Sequence, residues 1–357
     1  MRIKGKFMVK SSIKTFLLVL LSVCMLPAQV LFAEASDFHF AVEADATVRF
    51  AEQGEYVFMT IGSGVRRTLS YLEWEQKPLF VPKAKVTAGW KNLYLSASAR
   101  AALPTRCGSV FDSDWMNVTR FPNCADEYAH IKTNYTESDC KTNYYYEFGG
   151  ELSYKFKVTD KFAFSPTAEI SYVHSYFSAI GGSGSYYNSN QYEPNGYYGY
   201  YNDEENSHDV EISGEALSLE RVIFTAWLGG RFDMGITPKV NMGFSFAVNL
   251  WTFAQSLDSH LLTGAYYLDE FDDYFGGLKA GVDFSYNATK KDTLIFAAQW
   301  LGLKTLEGTT KSTTIENASY DDYMDCSYWE NGTFHKCTSG FDINSIEFTI
   351  GYRHTFN

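Results

Sequence analysis

Two short clusters of ionisable side chains in this 357-residue chain have the spacing that water-activating chemistry needs. Asp112 and Asp114 bracket Ser113 in Phe111-Asp112-Ser113-Asp114-Trp115-Met116. On an extended backbone they project to one side, and two carboxylates held close raise one pKa, so the pair can share a proton or hold a water. Asp258 and His260 in Ser256-Leu257-Asp258-Ser259-His260 share a side in the same way if the strand ending near Trp251 continues. There the carboxylate orients the imidazole and stabilises its charged form, the arrangement of a general base. Each pattern alone is common, and solvated acids or an ordinary loop histidine account for either one. Their combination carries the chemistry, because an acid-held base and an acid pair can together polarise one water. Nothing competes with them: there is no H-E-x-x-H, no G-x-S-x-G and no Cys/His nucleophile arrangement, and the seven histidines are scattered. No metal or organic cofactor is therefore expected.

Both clusters need rigid elements beneath them, and a two-residue alternation supplies these down the chain. Val240, Met242, Phe244, Phe246, Val248 and Leu250 alternate with Asn241, Gly243, Ser245, Ala247 and Asn249. Tyr146 to Val158, Leu278 to Tyr286 and Ile346 to Phe356 repeat the pattern. Short polar turns near Trp90-Lys91-Asn92, Thr159-Asp160, Thr237-Pro238 and Thr289-Lys290-Lys291 alternate with long segments around 105–143, 179–215, 257–274 and 308–342. Short turns on one rim and long loops on the other are the habit of outer-membrane barrels, whose apolar faces meet lipid and whose closed sheet has no edge. The expected fold is all-β: a ten-stranded antiparallel transmembrane β-barrel with short periplasmic turns, long extracellular loops and both acid clusters at loop-side strand ends. Residues 181–207 read as loop by composition. The connection Ile61 to Arg67, on the long-loop rim, exposes the dibasic Arg66-Arg67. Pro82 and Pro166 within strands require register breaks or weak pairing.

Composition excludes several alternatives. With 45% apolar and 20% charged residues the chain is not disordered, and 26 Tyr, 28 Phe and 7 Trp are too many for a typical cytosolic core. Beyond the N-terminus no run of about 18 apolar residues exists, which disfavours a helical membrane bundle. Residues 1–35 read as an export signal: Arg2, Lys4, Lys6, Lys10 and Lys14 precede an apolar core from Phe16 to Leu26, with cleavage after Ala35 or, as the competitor, Ala33. The remaining 36–357 form one barrel domain carrying 25 Lys and Arg against 41 Asp and Glu, a net charge of −16. Nucleic acid is thus not an expected partner, whereas cationic ligands or substrates are. The five cysteines left cannot pair completely: Cys326 with Cys337, and one pair among Cys107, Cys124 and Cys140, are expected.

Asp112-Ser113-Asp114-Trp115-Met116, the interval from Trp251 to Asp258 and His260, and Tyr176-Phe177-Ser178-Ala179-Ile180-Gly181-Gly182-Ser183-Gly184-Ser185-Tyr186 resemble the omptin family of outer-membrane proteases. Asn143 to Phe148, Leu72-Glu73-Trp74 and the closing Gly351 to Phe356 add to the likeness, which covers essentially the whole chain after the leader. The resemblance implies a barrel whose extracellular groove holds Asp112 and Asp114 facing Asp258 and His260, with a water activated between them. It implies that His260 accepts the water proton, Asp258 holds its tautomer, Asp112 positions the water and Asp114 supports it. It further implies cleavage of cationic polypeptides next to or between basic residues by a monomer. Glu55 matches the position that binds the basic side chain before the bond, allowing two extra residues in the following turn, and Glu137 would serve the residue after it. Ser256 stands where the second acid of that pocket is expected, so a strict Arg/Lys preference is not carried over. The family's lipopolysaccharide activator is gripped by outer-wall charges, but Tyr172, His174 and Tyr176 replace the acid and the arginine here, so that dependence is not carried over either.

Three functional classes follow from these residues. An endopeptidase comes first. A catalytically silent adhesin or invasin barrel is second, since Tyr/Asn/Gly-rich loops suit surface contact and need none of the four catalytic positions. A small pore is third, because inward Glu43, Arg49, Arg100, Lys155, Asp283 and Arg353 would largely fill ten strands.

Overall fold

A computed structural model describes residues 38–60, 66–115, 130–187, 199–330 and 333–356. The export leader and Cys124 lie outside these residues. The alternating segments form long strands: β1 (Phe38–Thr60), β2 (Arg66–Phe80), β3 (Lys83–Trp90), β4 (Leu93–Ala102), β5 (Thr105–Trp115), β6 (Lys132–Tyr154), β7 (Phe156–Lys157), β8 (Phe162–Tyr187) and β9 (Ser207–Gly235). They continue as β10 (Val240–His260), β11 (Ala265–Asp273), β12 (Gly277–Asn287), β13 (Asp292–Thr313), β14 (Met324–Asp325), a small hairpin of β15 (Ser327–Glu330) and β16 (Thr333–Lys336), and β17 (Thr338–Phe356).

All pairings are antiparallel, and the sheet closes on itself. β1 pairs with β2 and β3 on one side and with β17 on the other, from Phe40 opposite Phe356 to Phe58 opposite Thr338. From there β4 and β5 both pair with β6, β8 and β9 follow, β10 meets both β11 and β12, and β13 returns the ring to β17. The short turns stand where the sequence places them. In three of them a threonine hydroxyl, of Thr159, Thr237 or Thr289, accepts the backbone N–H groups two and three residues on, which closes the turn without a glycine.

Toward those turns the outer face is an apolar belt of Phe50, Phe80, Phe148, Phe246, Leu278, Phe296 and Phe348, each exposed. So large an exposed apolar surface is a lipid-facing one. Farther along the same strands the outer face turns polar: Lys77 donates to Glu52 and Glu75, and Tyr56 donates to Asp342 at 2.8 Å. The strand halves beyond the belt therefore stand in water. This corrects part of the sequence expectation of long loops: most of 105–143 and 257–274, and both ends of 179–215, are strand continuing past the belt, with only four residues, 261–264, between β10 and β11. Tyr187 ends β8 inside the stretch read as loop, and 188–198 lie outside the described residues.

Pro82 falls between β2 and β3, a break in the strand as its missing N–H requires. Pro166 stays within β8, opposite Gly230 of β9, but on its other side the β6 ladder ends at Thr167, so no hydrogen bond is asked of it. Arg66 and Arg67 are not loop residues. They open β2 opposite Thr60 and Met59, and Arg66 pairs with Glu307. Cys107, Cys140, Cys326 and Cys337 are free thiols, with Cys107 and Cys140 Sγ 3.7 Å apart, so neither expected disulfide is formed.

The lower lumen is filled by charge pairs around a cavity of about 870 Å³. Arg353 donates to Glu43 at 2.8 Å, Arg100 to Glu347 at 2.7 Å and Glu147 at 2.6 Å, and Arg231 to Asp283 at 2.6 Å. Above them along the strands lie two buried apolar clusters, one around Trp74, Leu79, Val110 and Phe177, the other around Trp227, Phe271, Leu306 and Phe341.

Candidate functional site

One β-bulge decides where the second acid cluster points. Along β10, Phe244, Phe246 and Val248 face outward in register with β9, but the register shifts between Asn249 and Trp251. An extra residue in one strand reverses the parity of everything after it. Unbroken alternation would carry position 258 to the same face as Phe246. Beyond the bulge Thr252, Ala254, Ser256 and Asp258 are instead buried. β5 has a comparable shift between Arg106 and Gly108, after which Asp112 stands opposite Leu72 of β2 and Thr136 of β6, both buried.

Asp258 Oδ2 lies 2.7 Å from His260 Nε2, which leaves Nδ1 of the ring free of that carboxylate, and Tyr267 of β11 packs edge-on against the ring at 5.2 Å. Across the opening, Asn134 of β6 donates to Asp114 at 3.2 Å. Two buried oxygens, Asp112 Oδ1 and Asp258 Oδ1, accept no hydrogen bond from the described residues. The two clusters act on each other's charge. Burial pushes Asp112 up to about 7, Asp114 adds to the rise, and His260 opposes it. Burial works against the imidazolium of His260, yet Asp258, with Asp112 and Asp114 beyond, carries it up to about 9. The four expected catalytic side chains are thus brought into one electrostatic group beyond the lipid belt.

Glu55 and Ser256 reach the same group from below. Glu55 is buried on β1, and burial together with Asp258 pushes it up to about 8, against the pull of Arg221. Arg221 of β9, which sequence reasoning missed, fills the space between them: Nε donates to Ser256 Oγ at 2.7 Å, Nη1 to Gln53 at 3.1 Å and Nη2 to Glu55 at 3.2 Å. Its signal was a lone basic residue at the inward parity of a strand, among buried Leu219 and Ile223. Asp269 of β11, opposite Ser256, is a second missed acid, pushed up to about 7 by burial and by Asp258.

Glu137 stands apart from this group in the structure. It pairs opposite Phe111, one register position from the Asp112 level, so its exposed side chain lies on the outer wall, within 3.4 Å of the Ser109 hydroxyl. The outer wall also carries Tyr172 and His174, where Glu220 accepts from Tyr144 at 2.6 Å and lies 2.7 Å from His174. Among the described residues one trio of metal-capable side chains lies close together, Glu52, Glu73 and Glu75, and Lys77 already donates to two of them.

Comparison with known proteins agrees with this architecture. The crystal structure of outer membrane protease OmpT from Escherichia coli superposes with a TM-score of 0.70 at 16% identity, covering 89% of this chain and 97% of that one. Neisserial surface protein A (TM-score 0.27, 11% identity, 89% and 97% covered) and the translocator domain of the autotransporter NalP from Neisseria meningitidis (0.31, 8%, 97% and 98%) fit far less closely. No curated protein matches the sequence. The likeness to OmpT is one of β-barrel fold, but the profile of the omptin family aligns with residues 40–342, most of the sequence. The chain belongs to the omptin family.

Proposed function

We propose that the chain is an outer-membrane endopeptidase that hydrolyses peptide bonds in extracellular polypeptides, working as a single chain without metal or cofactor. Counting β2 with β3, β4 with β5, β6 with β7 and β11 with β12 as single tracks, and setting aside the short β14, β15 and β16, gives ten strands across the membrane, with the short turns periplasmic and the acid site outside. The observation that carries the reading is the 2.7 Å contact of Asp258 with His260 on one strand, beside buried oxygens of Asp112 and Asp258 that accept no hydrogen bond from the described residues.

In the neutral ring, His260 Nδ1 takes a proton from a water held by the buried Asp112 carboxylate. The hydroxide adds to the substrate carbonyl, and His260 then gives the proton to the departing amine. Asp258 holds the ring on Nε2 and balances its charge, and Asp114, anchored by Asn134, keeps Asp112 in place. The net charge of −16 after removal of residues 1–35 attracts cationic polypeptides by long-range steering. A pore is disfavoured by the two buried apolar clusters that line the strands between the charge pairs and the site.

The test is incubation of detergent-refolded protein with quenched peptides bearing Arg-Arg, Lys-Lys or neutral pairs, beside a doubly substituted Asp112→Ala/His260→Ala control. Cleavage by the parent and not by the control is expected. Intact peptides in both preparations would leave an adhesin barrel.

A further inference from the structure

The molecule places an arginine of its own where a substrate cation is expected to go. Arg221 is fully buried, its three guanidinium nitrogens each have an acceptor among Ser256, Gln53 and Glu55, and the guanidinium carbon lies 4.7 Å over the Phe341 ring. By the likeness to the omptin family, Glu55 and Ser256 stand where a basic residue of the peptide would be held, and the structure puts Arg221 between them. A guanidinium is recognised by a planar fork of acceptors, and one fork cannot serve two arginines. The β-ladder explains how Arg221 gets there: it stands directly opposite Ser256 between β9 and β10, and a hydroxyl at that position accepts the neighbouring Nε. Gln53 and Glu55 approach from β1, two residues apart on the same inward face. Both are buried, and so is Ser256.

We propose that Arg221 is the resident occupant of the acidic subsite, so that the residue before the cleaved bond is accepted with an uncharged side chain and not selected as Arg or Lys. This rests on the endopeptidase reading above. The cationic attraction of the whole surface then acts on encounter and not on the choice of bond.

The test combines cleavage-site mapping with a binding measurement that needs no turnover. Refolded full-length protein is given a mixed peptide library, and the cut positions are read by mass spectrometry. The parent is expected to show no enrichment of Arg or Lys before the cut. In Arg221→Ala the uncovered Glu55 should raise that enrichment about 10-fold or more, as a newly available buried charge pair does. Millimolar N-methylguanidinium should raise the melting temperature of Arg221→Ala and leave that of the parent unchanged. Arg221→Gln, which keeps hydrogen-bonding capacity beside Ser256, serves if the alanine variant does not refold. Strong Arg/Lys enrichment in the parent, or variants that gain neither the preference nor the guanidinium response, would overturn the proposal. If the parent cuts nothing, the endopeptidase reading falls, while the guanidinium measurement still decides whether Arg221 fills a cation site.

Discussion

The lower lumen and the mouth are built from the same inward-facing polar positions, yet arginines hold most of the acids below, Asp45 with two unbonded oxygens apart, and hold few of those at the mouth. Below, Glu43, Glu147, Glu347 and Asp283 each accept hydrogen bonds from an arginine on another strand. Above the apolar clusters, Asp112, Asp258 and Glu55 each keep a buried oxygen without a partner. Neutralised charge fills a barrel and fixes its strands. Charge left unsatisfied is costly, and such cost is tolerated where a water or substrate is meant to be bound. Arg221 is the exception at the mouth, a lumen-type pairing carried up into the site.

The sharpest way to break this comparison is to remove the base. His260→Ala or Asp112→Asn should lower kcat/KM by about 10²- to 10⁴-fold while the barrel still folds cooperatively, with the melting temperature lowered modestly by the loss of His260 and kept or raised above pH 7 by Asp112→Asn, read by peptide kinetics beside thermal unfolding. A comparable loss in activity accompanied by unfolding would make both residues structural. The reverse holds for the lumen. Arg100→Met strands the buried Glu147 and Glu347 and should destabilise the barrel by about 3–5 kcal/mol in denaturant unfolding, while refolded molecules keep their turnover.

Next in size is the pH response. His260 is raised from its ordinary 6.5 to about 9, so its contribution to stability is complete below about 6.5 and is lost as pH rises through 9. Asp112, raised from 3.8 to about 7, likewise favours the folded state below its ordinary value and loses that contribution through 7. Turnover needs the neutral imidazole and moves the other way, by up to about tenfold per pH unit below the folded value. Melting temperature should therefore fall between pH 7 and 9 while kcat/KM climbs, and His260→Gln should flatten that part of the melting curve. A parent whose activity peaks near pH 5 would contradict the assignment of His260 as base. The smallest effect belongs to the outer wall: Glu137→Gln should change kcat/KM less than about twofold, within the range of surface substitutions. A selective loss on peptides with a basic residue after the bond would return Glu137 to the site.

Period-two alternation, the short threonine turns and the two acid clusters were all legible in the residues themselves, because strand parity and turn chemistry are local properties. So was the likeness to the omptin family, since it rests on the order of short motifs. Three things were not legible. The bulge at Asn249–Trp251 sets the facing of Asp258 and His260, and it is fixed by pairing with β9, a partner about 25 residues away in the chain. Glu137 lies on the outer wall because its register against Phe111, not its proximity in sequence, decides its side. Arg221 meets Glu55 across 166 positions of chain, so only closure of the barrel could show that the acidic subsite is already filled. Local sequence specifies which face a residue can share with its neighbours; which face is inside, and what it meets there, is set by the ring.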